Sequence, residues 1–208
     1  MLEILMMPLG PLQTNCYLAG CTETMDAAIV DPAWDGPRIA AAADERGWQI
    51  THILLTHAHF DHIGGLAALK EETAAPVYLH RDAEEMLQQA PHAASRWGLQ
   101  VAPPPTPDHY LEEGQELQIG QLRSDVLYTP GHAPGHVSFH FPAEQALFDG
   151  DVLFQRSIGR TDLPGADYET LLKTIREKLL VLPDETRVFS GHGAPTTIGE
   201  ERQLNPFL

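Results

Sequence analysis

The sequence is poor in several kinds of residue, and each shortage argues against a class of protein. Only 7% of the 208 residues are aromatic, which leaves little material for the stacking platforms that bind single-stranded nucleic acids. Lysine and arginine number 13 against 29 aspartates and glutamates, so the formal net charge is −16. A surface this acidic repels phosphate backbones and anionic lipid headgroups. We therefore expect no nucleic-acid partner and no membrane partner.

Cysteines and long apolar runs are also scarce. Cys16 and Cys21 have neither a zinc-finger nor a redox spacing, and we interpret them as ordinary thiols rather than a disulfide. No segment approaches the roughly 18 apolar residues of a membrane span. The N-terminal segment has no basic region before its short apolar run, unlike a signal peptide. The expected location is the cytoplasm.

The remaining composition is that of a globular protein. With 43% hydrophobic and 20% charged residues, the chain can form a packed core, and its length suits a single domain over residues 1–208. A proline-rich stretch, residues 102–108, separates two halves that each begin with strands and end with helix. This order predicts an α/β protein, with two sheets packed face to face and helices outside. The oligomeric state is expected to be a monomer or a small homo-oligomer.

Hydrophobic periodicity and turn residues locate the individual elements. The predicted strands are 2–8, 15–19, 27–30, 50–55, 77–80, 116–119, 122–129, 137–141, 146–148 and 187–190. The predicted helices are 37–46, 66–72, 81–89, 168–180 and, at the C-terminus, 198–203.

One short segment, THAHFDH at residues 56–62, carries four potential metal ligands. In an extended backbone His57 and His59 point the same way, whereas Asp61 and His62 point elsewhere. The segment therefore presents two ligand pairs to two neighbouring points, which favours two ions over one. Imidazole and carboxylate ligands suit zinc, iron or manganese, and zinc is our first expectation.

Three further candidates each follow a glycine at the end of a predicted strand. They are His132, Asp151 and His192. Glycine lets the backbone turn sharply and approach a ligand closely. The complete candidate set has seven members: His57, His59, Asp61, His62, His132, Asp151 and His192. Seven ligands allow three for each of two ions plus one bridging carboxylate, with room for the water that a catalytic site needs.

Other histidines and aspartates fit the pattern less well. His136 and Asp31 are candidates for residues that support the ligands from behind. Asp149 competes with Asp151 for the role of ligand, and the residues alone leave that choice open. The remaining histidines are interpreted as structural or solvated.

The order and spacing of these residues resemble the metallo-β-lactamase superfamily. The resemblance covers nearly the whole chain and implies a four-layer αβ/βα sandwich with metals at the edge of two mixed sheets. Four stretches are most similar to short, single-domain glyoxalase II-like hydrolases: THAHFDHIGG, TPGHAPGHV, GDVLFQRSIGRTDLPGADY and GHGAPTTIGEERQLNPFL. The resemblance also selects Asp151 over Asp149 as the ligand.

This family resemblance implies an activity. It implies hydrolysis of a thioester, typically S-lactoylglutathione, to an acid and a thiol by a metal-bridging hydroxide. Asp61 would both ligate and orient the nucleophile or accept its proton, and Arg160 would meet the glutathione. Two departures weaken the expectation of glutathione specificity: the chain lacks the C-terminal helical domain of full-length glyoxalase II, and no tyrosine closely follows His192.

Other activities of the same superfamily compete with this reading. Persulfide dioxygenases also resemble the chain and would hold one iron with His57, His132 and Asp151. Zinc β-lactamases commonly have cysteine where Asp151 stands, and they are exported, which disfavours that activity. The net charge disfavours phosphodiester chemistry on nucleic acids. A metal-binding module without catalysis is the least favoured alternative.

Overall fold

The first sheet of the computed structural model, which describes residues 1–208, is built from the N-terminal half of the chain. Its strands lie in chain order: β1 Leu2–Leu9, β2 Thr14–Cys21, β3 Asp26–Val30, β4 Gln49–Leu54, β5 Val77–His80 and β6 His109–Leu111. Strands β1, β2 and β3 pair antiparallel, whereas β4, β5 and β6 continue from β3 in parallel pairs, so the sheet is mixed. Its helices are α1 Gly36–Asp44, α2 Leu66–Thr73 and α3 Glu84–Ser95.

The second sheet comes from the C-terminal half. Its strands are β7 Glu116–Ile119, β8 Leu122–Tyr128, β9 Val137–Phe141, β10 Ala146–Gly150, β13 Arg187–Ser190 and β14 Thr196–Thr197. They lie in the order β14-β13-β10-β9-β8-β7, with β10 and β13 parallel. A small hairpin of β11 Leu153–Phe154 and β12 Ser157–Ile158 follows β10. Helices α4 Tyr168–Thr174 and α5 Ile198–Leu204 complete this half.

Three apolar clusters define four layers. The largest lies between the first sheet and its helices, where Ile29 and Ile53 pack with Leu66 and Leu87. A second fills the space between the two sheets, and a third lies between the second sheet and the helices α4 and α5. This arrangement follows from strand alternation, because successive side chains of one strand point into different clusters. It confirms the predicted two mixed sheets flanked by helices.

Most predicted elements match the structure, and the differences have local causes. The prediction ended a helix at residue 89, before Pro91, but α3 continues through that proline to Ser95. Proline removes one helical hydrogen bond, and the burial of Leu87, Ala90 and Ala94 compensates for that loss. The helix predicted at 168–180 is α-helical only to Thr174 and ends in a π-helical turn at Ile175–Leu179.

Short strands were missed because they have too few residues to show a period. These are β6, β11, β12 and β14. The proline-rich stretch is a loop, as predicted, and it leads into β6. Both cysteines are free and buried, which confirms the interpretation as thiols. No helix combines the length and apolar character that a membrane span requires.

Candidate metal centre

The candidate ligands lie at the ends of strands from both sheets. The segment 56–62 follows β4, Asp151 follows β10, and His192 follows β13. His132 lies in the loop between β8 and β9. These strand ends meet at one edge of the sandwich, so ligands as far apart in sequence as Asp61 and His192 become neighbours, with 3.3 Å between Asp61 Oδ2 and His192 Nε2. All seven predicted side chains are brought together here.

The first ligand group consists of His57, His59 and His132. The Nδ1 atom of His59 lies 3.0 Å from Nε2 of His57 and 3.0 Å from Nε2 of His132. His57 and His132 are buried, while His59 is partly exposed. One ring nitrogen from each of the three histidines lies within 4.8 Å of the others, which makes a compact nitrogen-rich cluster.

The second ligand group consists of Asp61, His62 and His192. Oδ2 of Asp61 lies 3.3 Å from Nε2 of His192 and 3.7 Å from Nε2 of His62. The ring of His62 is fully buried, whereas the His192 side chain is 32% exposed. This group is therefore mixed in chemistry and opens to solvent on the His192 side.

Asp151 lies between the two groups. One carboxylate oxygen, Oδ1, is 3.4 Å from His62 Nε2, and the other, Oδ2, is 3.5 Å from His132 Nε2 and 3.6 Å from His192 Nε2. Its position towards members of both groups is the one that a bridging carboxylate would occupy.

The polar atoms of this centre fit a bound cation. His62 Nε2 and Asp151 Oδ1 are buried and have no hydrogen-bond partner within the chain, an arrangement that costs free energy unless another group satisfies them. A Cβ atom at Gly191 would overlap Asp151 Oδ1 and His62 Cε1, so only glycine leaves space beside these atoms. The donor set of imidazoles and carboxylates also matches divalent transition metals.

A second set of contacts fixes how the histidines present their nitrogens. Asp31 accepts hydrogen bonds from the Thr56 backbone N–H at 2.8 Å and the Thr56 hydroxyl at 2.6 Å, and His62 Nδ1 donates to it at 2.9 Å. Because the Thr56 hydroxyl donates to Asp31, its oxygen accepts from His57 Nδ1 at 3.0 Å. The Nε2 lone pairs of both histidines therefore face the centre.

His132 and Asp151 have their own supports. His132 Nδ1 donates to the carbonyl of Arg160 at 2.9 Å, which again leaves Nε2 free of a proton. The backbone N–H of Asp151 donates to Nε2 of His136 at 3.2 Å, and His136 Nδ1 then donates to the Thr129 hydroxyl at 2.9 Å. The structure thus places His136 and Asp31 behind the ligands.

Asp149 and Asp151 have different surroundings although they are two residues apart. Asp149 is fully buried, belongs to neither ligand group and accepts a hydrogen bond from the Leu153 N–H at 2.8 Å. Burial raises the pKa of Asp149 well above its usual value, which disfavours the ionised form that a metal ligand needs. The geometry therefore favours Asp151 as the ligand.

Burial also tunes the charge of the ligands. It lowers the pKa of His59 to about 3 and that of His57 well below its usual value, because a charged imidazole is costly away from water. For Asp61, burial acts to raise the pKa, but the charge of His62 and the hydrogen bond with His192 outweigh it and lower the pKa to about 2. His57 and His59 are therefore neutral and Asp61 is ionised at neutral pH, which are the forms that bind metals. In contrast, burial opposes the charged form of His62, but the nearby carboxylates of Asp151 and Asp61 outweigh it and raise the pKa of His62.

The side chain of Arg160 lies at the exposed rim. Its Nε and Nη2 atoms each donate to a carboxylate oxygen of Asp162 at 2.7 Å, and about half of the side chain is exposed. One edge of the guanidinium is therefore occupied by Asp162, and the other edge faces solvent.

Sequence reasoning missed several polar residues around the centre. Thr14 donates from its hydroxyl to Asp61 Oδ2 at 2.7 Å, and Asn15 bonds the loop that carries His192. Nothing in the sequence near residues 14 and 15 has metal-ligand spacing, and only the tertiary pairing of β2 with the rest of the fold places them here. Thr56 and Thr129 were also not identified, since single threonines give no periodic signal.

Comparison with known proteins identifies the family. Residues 9–192 match the sequence model of the metallo-beta-lactamase superfamily. The chain belongs to this superfamily. A protein named Probable metallo-hydrolase YqgX, from Bacillus subtilis, is 45% identical over 97% of this chain and 95% of its own length. Hydroxyacylglutathione hydrolase GloC of Haemophilus influenzae is 38% identical over 100% of this chain and 98% of its own length.

Solved structures agree with this assignment. The BLEG-1 B3 metallo-beta-lactamase superposes with a TM-score of 0.93 at 44% identity, covering 99% of both chains. TTHA1623 in a di-iron-bound form gives 0.91 at 45% identity, covering 98% of this chain and 100% of that one. ETHE1 from Myxococcus xanthus gives 0.81 at 30% identity, covering 98% and 83%. The chain is thus a metal-dependent hydrolase of a superfamily that binds divalent metals through a His/Asp cluster.

Proposed function

We propose that this protein hydrolyses a small-molecule thioester such as S-lactoylglutathione to an acid and a thiol, at a centre of two divalent ions. The observation that carries the proposal is the position of Asp151 between two ligand groups. The full-length similarity to GloC, a hydroxyacylglutathione hydrolase, supports the choice of substrate class. Zinc is our first expectation for the metal, with iron or manganese as alternatives; the di-iron form of TTHA1623 supports iron.

Each ion would have its own ligands and share Asp151. One would be held by His57, His59 and His132, and the other by Asp61, His62 and His192. Ions bound in this way lower the pKa of water and stabilise negative charge on a carbonyl oxygen. The residues of the chain would orient the water and bind the substrate.

Asp61 is the residue we assign to orienting the nucleophile. Its carboxylate stays ionised because its pKa is lowered to about 2, and so weak a base accepts a hydrogen bond readily but holds a proton poorly. We therefore assign Asp61 to directing a water towards the thioester carbonyl. Asp61→Ala protein that kept both its full hydrolytic rate and its full metal content would contradict this role.

Arg160 is the residue we assign to the substrate. The backbone of Arg160 lies beside the centre, since its carbonyl accepts from His132, and its half-exposed guanidinium is a cation at the rim. The edge not engaged by Asp162 can donate to a carboxylate of an anionic thiol such as glutathione. In a chain of net charge −16, such a local cation is needed to attract an anion.

A second candidate is persulfide oxidation at a single iron. The resemblance to persulfide dioxygenases implies it, and that resemblance would assign the iron to His57, His132 and Asp151. The same similarity argument makes β-lactam hydrolysis an activity to assay, because BLEG-1 is 44% identical.

Metal analysis combined with substrate assays tests the proposal. Protein purified from its native host is analysed for metal and assayed with S-lactoylglutathione, with glutathione persulfide and with a β-lactam. Two ions per chain and thioester hydrolysis are expected. One iron per chain with sulfite formation from the persulfide would replace the proposal with the dioxygenase. Metal binding without turnover of any of these substrates would leave only a metal-binding module.

A further inference from the structure

The N-terminal end of β2 contacts one ligand group and not the other. Thr14 and Asn15 open this strand, and Tyr17 follows. All three side chains are nearly completely buried, at 1–2% exposure. Their side-chain hydrogen bonds end on Asp61 or on the loop of His192, and none ends on His57, His59 or His132.

Thr14 fixes the carboxylate of Asp61. Its hydroxyl donates to Oδ2 at 2.7 Å, the same oxygen that lies 3.3 Å from His192 Nε2. A carboxylate can rotate about its last side-chain bond, and that torsion is broad in the absence of contacts. The hydroxyl of Thr14 therefore selects which oxygen faces His192, and it does so from a buried position where the hydrogen bond is not competed for by water.

Asn15 and Tyr17 fix the backbone on both sides of His192. The side-chain amide of Asn15 donates to the carbonyls of Ser190 at 3.0 Å and Gly193 at 2.9 Å. The backbone N–H of Asn15 donates to the Gly191 carbonyl at 2.7 Å, and the Tyr17 hydroxyl donates to Ser190 at 2.6 Å. The Nδ1 atom of the His192 ring has no hydrogen bond to another side chain. The contacts of β2 with the backbone on both sides of His192 therefore position the residue.

We infer that the start of β2 sets the affinity of the second metal position, and that Thr14 is its positioning residue. The three-histidine group is supported by Asp31 through Thr56, and by the Arg160 carbonyl, so it does not depend on β2. In the second group Asp31 supports His62 directly, and only Asp61 and His192 depend on β2. Loss of the Thr14 hydroxyl therefore converts a two-ion centre into one that retains a single ion at low metal concentration. This inference rests on the proposed two-ion function.

The test is a zinc titration of metal-stripped protein against a chromophoric chelator, which resolves two dissociation constants. Thr14→Val keeps the shape and removes the hydroxyl. Removal of a group that hydrogen-bonds a metal ligand typically weakens binding by about 10- to 100-fold. We expect a loss of this size for the weaker zinc ion in Thr14→Val and a change of less than about twofold for the tighter one. Thr14→Ser retains a hydroxyl and should restore the second constant.

A matched control separates this effect from the substitution itself. Thr186 is also fully buried, but its hydroxyl has no partner and lies away from the centre, so Thr186→Val should bind two zinc ions as the wild type does. Thr14→Ala serves if Thr14→Val fails to fold. Equal weakening of both ions, or of neither, in a folded Thr14 variant would overturn the inference alone. Wild-type protein that binds one ion only would overturn the two-ion function as well.

Discussion

The three-histidine group and the group around Asp61 lie side by side but are built differently. His57, His59 and His132 supply three nitrogens, and buried hydrogen bonds fix the rings of His57 and His132. In the second group Asp31 fixes the ring of His62, but Asp61 and the half-buried His192 are held by contacts with β2. The comparison teaches that similar ligands can differ in how firmly the fold places them. We therefore expect the three-histidine group to bind its ion more tightly.

The largest effect is expected where the two groups meet. Asp151→Asn preserves the shape of the side chain but removes the negative charge that faces both groups. We expect both zinc affinities to fall by more than the ~100-fold upper limit typical of supporting residues, and thioester hydrolysis to be lost with them. Zinc titration and the S-lactoylglutathione assay measure the two effects.

Asp149→Asn is the matched control for that substitution. Asp149 lies at the same strand end, but burial raises the pKa of its carboxyl well above the usual value and so favours the neutral form. The asparagine carbonyl can accept from Leu153 N–H as the native carboxyl does, so metal content should be unchanged. Equal metal loss in the two variants would show that any change at this strand end disturbs metal binding, and that the charge of Asp151 is not the cause.

Removal of His192 tests the second ligand group without changing the first. His192→Ala takes one ligand from the second group and leaves His57, His59 and His132 intact. We expect one ion to remain and the hydrolytic rate to fall by roughly 100- to 1,000-fold, the usual cost of removing one stabilising group from a transition state. Metal analysis and steady-state kinetics provide the check. Full hydrolysis with one ion would mean that the three-histidine group suffices for the reaction.

A smaller effect is expected at the rim, where Arg160 meets substrate rather than metal. Arg160→Ala keeps the backbone carbonyl that fixes His132, so the chemistry should be retained. Loss of one charge-assisted contact predicts a KM for S-lactoylglutathione about 10-fold higher, with kcat within about twofold. Asp162→Asn should lower the KM, because it frees the edge of the guanidinium that Asp162 occupies. A fall in kcat without a change in KM would place Arg160 in the chemical step.

The smallest expected effect lies outside both groups, at the end of the proline-rich loop. Asp108 accepts hydrogen bonds from Lys70 and the Val77 N–H, both at 2.8 Å. The hydrogen bond from Lys70 is the main cause of its lowered pKa. The folded pKa of Asp108 lies below its usual value of 3.8, so its contribution to the free energy of unfolding is present above pH 3.8 and disappears as the pH falls through the folded pKa.

Asp108→Asn is therefore expected to cost about 0.5–1 kcal/mol at neutral pH, since the ion pair is partly exposed. The cost should be smaller at an acid pH below 3.8, where wild-type Asp108 loses its charge as the pH falls through its lowered folded pKa. Denaturant unfolding of metal-stripped wild type and variant at the two pH values measures the difference. A pH-independent difference would assign the stabilisation to packing and not to charge. Zinc affinity should be unaffected.

The same comparison explains what could be predicted from the sequence. The segment 56–62 and the Gly-His and Gly-Asp pairs have fixed local spacing, so the sequence alone was enough to identify all seven candidate ligands. Long periodic strands and helices were visible for the same reason. The short strand β6 and the continuation of α3 through Pro91 were not, because packing decides them. Thr14 and Asn15 escaped because their importance arises only when β2 meets the loop of His192.

Stepwise loading of the centre with zinc is the most direct test of whether hydrolysis needs two ions. Metal-stripped protein receives one and then two equivalents of zinc, and S-lactoylglutathione hydrolysis is measured at each step. We expect a low rate of hydrolysis with the first equivalent, which fills the three-histidine group, and a steep rise in the rate with the second. Full hydrolytic activity at one equivalent, unchanged by the second, would contradict this expectation.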